Sequence, residues 1–257
     1  MTSVDRKLHR DAIPFRGRPA PHIPPRRSAA HRIASDAEAL DVAQTLAKEF
    51  ALEAAERDRE RRLPIAEIER FSQSGLWGVT VPRAYGGAGV SNGTLAEIIA
   101  TIAAADASLG QIPQNHFYMV EALRLAGTEE QKRHYFGRVL DGDRLGNAFT
   151  EVGTRTAVDF QTKILPRGDK FVLNGQKFYS TGALFAHLVL VVAADAAGRS
   201  HVVFLDRHTP GLTLIDDWSS FGQRTTGSGT TLFDEIVVDP FQIVVHQDVF
   251  EIGRAHV

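Results

Sequence analysis

The chain has 257 residues and no cysteine. That excludes a disulfide framework, a thiolate nucleophile, and zinc or iron–sulfur clusters held by cysteine. Methionine and tryptophan are scarce, with two of each. No apolar run approaches the roughly 18 residues that a membrane-spanning helix needs. The best candidate, residues 184–194, is short and contains His187. Neither charge dominates. A net charge of −2 gives no general attraction to nucleic acid. P-loop, HExxH and GxSxG motifs are all missing. What remains is ordinary for a globular chain, 43% hydrophobic and 23% charged. The length suits one large domain or two modest ones around a real core.

Residues 1–33 stand apart in composition. They carry Arg6, Lys7, Arg10, Arg16, Arg18, Arg26, Arg27 and Arg32 against Asp5 and Asp11, with Pro14, Pro19, Pro21, Pro24 and Pro25. Such a stretch buries too little apolar surface to offset the entropy of ordering it. It is expected to be a disordered basic leader. It lacks the apolar core of a secretory signal. With no cysteine either, the expected location is the cytoplasm, with neither membrane nor nucleic acid as a partner.

A helical half follows, expected over residues 34–143. Ser35-Asp36-Ala37-Glu38 has the form of a capping box. Leu40, Ala43, Leu46, Ala47 and Phe50 then recur at helical spacing. Residues 57–62 read as a charged, solvated helix end. Pro64 suits the start of a helix that presents Ile65, Ile68 and Phe71 and stops at Gly75. Residues 79–90 are a loop. Residues 95–105 form a small-residue helix that lets a neighbour approach closely. Further helices run from about Pro113 to Ala126 and from Thr128 to about Leu140.

From Asn147 onward the period changes. Residues 160–165, 170–177, 188–194, 201–205, 212–216 and 231–238 read as strands. Arg167-Gly168-Asp169 and Asn174-Gly175 are tight-turn signals. The expected fold class is α+β, a helical domain followed by a small antiparallel β-barrel or sandwich over residues 144–245.

Taken one at a time, the candidate residues are ambiguous. Gly86-Gly87-Ala88-Gly89 follows no clear strand and reads as a turn. His116 on its helix reads first as a satisfied core histidine. Asn147, Thr150 and Glu151 stand where helices give way to sheet and are either ligand contacts or edge chemistry. Tyr179-Ser180-Thr181-Gly182 offers an aromatic face with hydroxyls, or simply a strand end. Trp218 precedes a polar, glycine-rich stretch and serves a pocket or packing.

Together, several segments resemble the acyl-CoA dehydrogenase superfamily. They are residues 146–151, Asn174-Gly175-Gln176-Lys177-Phe178-Tyr179-Ser180-Thr181-Gly182, Phe221-Gly222-Gln223-Arg224, and Leu232-Phe233-Asp234-Glu235-Ile236. In that family a Thr-Glu segment opens the middle domain and an Asn-Gly-x-Lys-x-Trp-x-Thr segment lines a flavin. Here Tyr179 holds the usual Trp position and Gly182 the usual Asn. Residues 152–156 stand where dehydrogenases tend to have Pro-Gly-Ala-Gly-Ser. Residues 110–117 and 180–187 are similar to the sulfur-acquisition oxidoreductases, a branch close to dibenzothiophene monooxygenase.

The resemblance implies a reduced-flavin-dependent monooxygenase that uses O₂ on a small organosulfur compound. The cofactor would be reduced FMN, with FAD as the alternative, and the partners a flavin reductase and, at full length, a homotetramer. By position it implies that Asn147, Thr181 and His116 are catalytic. Phe149, Thr150, Tyr179, Ser180 and Thr181 would bind the flavin, and Tyr118 and Trp218 the substrate; no metal is implied. A third, helical domain is usual in the family. Residues 246–257 would be only its truncated start. Ile252-Gly253-Arg254-Ala255-His256-Val257 can be encoded as ATC GGA AGA GCA CAC GTC, the start of a common sequencing adapter, so residues 251–257 are expected to be non-native. The rival readings are an FAD-dependent acyl-CoA dehydrogenase and a non-catalytic flavin-fold module.

Overall fold

The computed structural model describes residues 17–23, 29–154, 156, 159–247 and 249. The first part of the basic leader and residues 251–257 lie outside the described residues.

Among the described residues, seven α-helices build the first half: α1 (Asp36–Ala51), α2 (Ala54–Glu60), α3 (Ile65–Gln73), α4 (Asn92–Ala105), α5 (Ala107–Gln111), α6 (Gln114–Ala126) and α7 (Glu129–Leu140). The Ser35 hydroxyl accepts from the Glu38 N–H at 3.2 Å, as its motif predicts. Glu38 does not close the box on Ser35; its carboxylate takes the Ala34 N–H at 2.8 Å and His31 at 2.6 Å. Helix α1 buries Ala39, Ala43, Leu46 and Phe50, positions three and four apart. Helix α4 is the small-residue helix. A Cβ placed on Gly110 would lie 2.4 Å from that of Ala103, so α5 rests directly on α4. The sequence reading missed α5 itself, which Asp106 caps by accepting from the Ser108 and Leu109 N–H groups.

One expectation here is corrected at a single residue. Within residues 57–62, Arg59, Glu60 and Arg62 are exposed as expected, but Arg57 is 1% exposed. Its guanidinium donates to Asp106, Glu67 and the Phe50 carbonyl. A guanidinium can be buried when its nitrogens have acceptors, and here the acceptors come from three parts of the chain.

The leader is corrected where it is described. Residues 17–23 and 29–33 are placed in the fold. Strand β1 (Arg18–Pro19) pairs antiparallel with β7 (Leu212–Asp216), Arg18 opposite Asp216. Arg207 donates to the Pro21 carbonyl at 2.8 Å, and Ala30 and Ile33 are buried. The backbone hydrogen bonds of an edge strand do not depend on apolar side chains, so composition gave no sign of them.

The remaining strands are β2 (Leu145–Ala148), β3 (Lys163–Arg167), β4 (Lys170–Lys177), β5 (Leu188–Ala194), β6 (Ser200–Asp206), β8 (Thr230–Val238) and β9 (Ile243–Val245). They form one curled sheet in the order β1-β7-β8-β4-β3-β5-β6-β9, with β2 added on β5. It is mixed rather than antiparallel, since β2 and β3 both run parallel to β5. Every residue of β5 is buried, as its unbroken apolar run implies. Val189, Val191 and Ala193 enter the core shared with α1, α3, α4 and α5. Leu188, Leu190, Val192 and Ala194 enter a second core with α6 and α7.

Asn174-Gly175 is not a turn. It lies inside β4 as a bulge opposite β8, with Gly175 at φ 152° against Thr162. The Asn174 amide exchanges two hydrogen bonds with Glu235, one to its carboxylate and one from its N–H. The β3–β4 turn is at Gly168, as read from the sequence.

Candidate active site

The site grows from the strand that follows α7. Strand β2 lies beside β5, and its backbone continues to Thr150, whose carbonyl accepts from Phe178 N–H at 2.8 Å. Side chains alternate along it, so Asn147 and Phe149 share the face toward α6. Glu151 anchors the end of this segment. Its carboxylate accepts from Gln161 N–H, Thr162 N–H and the Lys177 ammonium at 2.6, 2.9 and 2.8 Å. Lys177 also donates to the Phe149 carbonyl at 3.0 Å and lies over the Phe160 ring. Burial pulls the Lys177 ammonium down to about 8, against its bond to Glu151. Burial opposes the Glu151 charge too, but Lys177 and the two N–H groups outweigh it and hold the carboxyl below its usual range.

Beyond β4 the chain turns sharply. Tyr179 has φ 53° and leaves its ring 52% exposed. Ser180 and Thr181 turn inward, and the Thr181 carbonyl accepts from Asn147 N–H at 3.1 Å. Two buried atoms here have no hydrogen-bond partner: Asn147 Oδ1 and Ser180 Oγ. Buried polar atoms are normally paired; among the described residues Thr80 Oγ1, His201 Nδ1 and Thr231 Oγ1 are orphaned too, and Asn147 and Ser180 differ in lying next to Thr181 and the Tyr179–Trp218 pair.

The other wall is the loop after β7. Trp218 meets the Tyr179 ring edge-on at 5.9 Å, and its indole N–H donates to the Gln223 carbonyl at 3.0 Å. Four non-glycine residues have positive φ among the described residues: Arg61, Tyr179, Gln223 and Glu235. Three of them converge on Trp218. Arg61 pairs with Asp216 through both ends of its fork and donates to the Trp218 carbonyl at 3.0 Å. Strained backbone gathered at one tryptophan indicates a corner held in shape for use. Gly229 lets the loop lie flat, because any Cβ there would strike the Ile215 carbonyl at 2.0 Å.

Two family models match this chain, "Acyl-CoA dehydrogenase, N-terminal domain" over residues 36–143 and "Acyl-CoA dehydrogenase, middle domain" over residues 146–236. The chain belongs to the acyl-CoA dehydrogenase superfamily. Within it, the dibenzothiophene monooxygenase of Rhodococcus erythropolis is 33% identical over 220 residues, 83% of this chain and 52% of that protein. "Probable FMNH2-dependent monooxygenase SfnC" of Pseudomonas putida is 29% identical over 80% of this chain and 52% of its own length. The FMN-bound structure of TdsC from Paenibacillus sp. A11-2 superposes with a TM-score of 0.73 at 34% identity, covering 80% of this chain and 53% of that one. The chain thus spans about half the length of the curated relatives it matches.

The superfamily fold brings Asn147, Ser180, Thr181, Tyr179 and Trp218 into one corner, with Thr150 exposed beside it. Phe149 and Tyr118 are neighbours on the α6 side, 6.5 Å apart between rings. His116 does not join them and is corrected. It is fully buried; Nε2 lies 2.9 Å from the Trp77 carbonyl and Nδ1 takes the Leu145 N–H at 3.1 Å. Both nitrogens are committed, so His116 ties α6 to β2. Burial lowers its pKa to about 4, which keeps the ring neutral.

Sequence reasoning missed two groups. Thr226 and Ser228 reach Thr181 from the glycine-rich stretch, and His246 accepts from or donates to Tyr118 at 2.7 Å. The hydroxyl-rich run Thr225-Thr226-Gly227-Ser228 is a signal that could have pointed to the first; nothing local marks His246.

Proposed function

We infer that the chain binds reduced FMN across this corner and, with O₂, oxygenates a small organosulfur compound. A flavin reductase supplies the cofactor, in the cytoplasm, in a protein that works as a homotetramer. The observation that carries the reading is the pair of orphaned buried atoms, Asn147 Oδ1 and Ser180 Oγ, beside the Thr181 hydroxyl and the Tyr179–Trp218 aromatic corner. A planar heterocycle edged with N–H and C=O groups fits that donor and acceptor set. When bound, a reduced flavin supplies the electrons that activate O₂.

The chain's own residues divide the work. Asn147 Oδ1 takes a ring N–H, and Thr181 holds the ring by its hydroxyl. Tyr179 and Trp218 pack on the ring, and the Phe149–Thr150 backbone runs along its edge. Glu151 and Lys177 fix that backbone from behind. Phe149 and Tyr118 keep bulk water from the reacting side. The organosulfur class rests on the names of the relatives.

The test is turnover with NADH, a flavin reductase, FMN and ¹⁸O₂, offering dibenzothiophene and methanesulfinate separately, both of which can take an oxygen atom at sulfur. The expected result is an ¹⁸O-labelled sulfur product. Reduction of tightly bound FAD by an acyl-CoA without oxygen, and no labelled product, would instead support a dehydrogenase.

A further inference from the structure

Behind Thr181 lies a row of buried hydroxyls that no step above uses. Thr181 Oγ1 is 2.7 Å from Ser228 Oγ, and Ser228 Oγ is 2.8 Å from Thr226 Oγ1. Thr226 Oγ1 donates to the Gln223 carbonyl at 3.1 Å. All three side chains are buried.

Each hydroxyl has one proton to give. The row ends on a carbonyl, which can only accept. The Thr226 proton is therefore spent on Gln223. Ser228 must then donate to Thr226, or two lone-pair faces would meet at 2.8 Å. Thr181 must in turn donate to Ser228. Its other neighbour, the Tyr179 carbonyl, is 3.5 Å away, well beyond the usual O–H···O distance. One direction satisfies every bond: Thr181 to Ser228 to Thr226 to Gln223.

We propose that this one-way row fixes Thr181 as a hydrogen-bond acceptor toward the ligand, and so makes the site select a reduced flavin over an oxidised one. The proposal rests on the flavin reading above. It sets the N5 edge of the ring against the Thr181 hydroxyl, because a reduced isoalloxazine carries a hydrogen on N5 and donates there. The oxidised ring has a lone pair at N5 and would face the lone pairs of Thr181. The Gln223 carbonyl also holds the Trp218 indole, so the node that sets the row's direction is the one that holds the aromatic wall. Ser228, Thr226 and Gln223 are positioning residues; they act only through Thr181.

The experiment measures the affinity of the protein for FMN in both redox states, anaerobically for the reduced form, in wild type, Ser228→Ala and Thr226→Val. Wild type should bind reduced FMN at least about tenfold more tightly, since a bond made against a bond refused exceeds about 1.4 kcal/mol. By linkage that preference raises the two-electron midpoint potential of bound FMN by about 30 mV for each factor of ten. In both variants Thr181 is free to donate, and the ratio should fall several-fold, mostly through tighter binding of oxidised FMN. Ser228→Thr and Thr226→Ser keep the hydroxyls and should restore the wild-type ratio, which separates the row's direction from loss of packing. An unchanged ratio in variants that still bind FMN overturns the proposal and leaves the flavin reading standing. Failure of wild type to bind flavin in either state overturns both.

Discussion

Arg57 and Asn147 are both polar and both buried, at 1% and 5% exposure, yet they live in opposite circumstances. Around Arg57 the bonds are complete: two carboxylates and a carbonyl take its guanidinium, and Asp106 spends its second oxygen on two N–H groups at the start of α5. Around Asn147 they are not, since Oδ1 points at no donor. The first arrangement is finished by folding. The second is left open by folding, and the proposed function assigns it to the ligand. The contrast between the two lies in how far folding satisfies them, more than in burial or charge.

The strongest way to break the comparison is Arg57→Met. It strands Asp106 and Glu67 in the helical half and should cost about 3–5 kcal/mol. Urea unfolding reads this directly; a loss below about 1 kcal/mol would mean the network is ornamental.

His116 comes next. Its folded pKa of about 4 lies below the free value of 6.5. The stability gained by keeping it neutral is whole above pH 6.5 and is lost as pH falls toward 4. About 3 kcal/mol should disappear over that window. His246 acts in the same direction, because burial and then His201 lower it to about 4 as well. Comparing unfolding midpoints near neutrality and near pH 4.5 should show roughly half of this slope removed in His116→Gln. A slope untouched by that change would show that another group titrates.

Asn147→Ala sharpens the contrast with the smallest effect on stability. Deleting an acceptor that folding never paired should cost less than about 1 kcal/mol, while affinity for reduced FMN drops roughly tenfold. If stability fell as far as for Arg57→Met, Asn147 would belong with the architecture.

Much of the frame was legible before any coordinates. The bounds of β4, β5 and β7 agree with the sequence reading, because their alternating or unbroken apolar patterns are long enough to resolve. Strands β1 and β9 have two and three residues and carry no pattern. Asn174-Gly175 misled because its dipeptide serves a bulge as well as a turn. The proposal of Asn147, Thr181, Tyr179 and Trp218 for the site rests on family likeness, and their spacing alone would have favoured bland readings. What stayed hidden are pairings across long separations: Arg57 with Asp106, Thr181 with Ser228, Tyr118 with His246. A side chain carries no local mark of a partner 47 to 128 residues away.

Strand β5 has a final consequence. One face belongs to the core with α1 and α4, the other to the core with α6 and α7. The helical half and the sheet half are therefore not modules that a gene fusion could trade between relatives at the α7–β2 junction. A transplanted sheet would bring a β5 cut to fit someone else's helices on both sides. A chimera joined at that junction would need matching changes in β5 or in the helices on both of its faces.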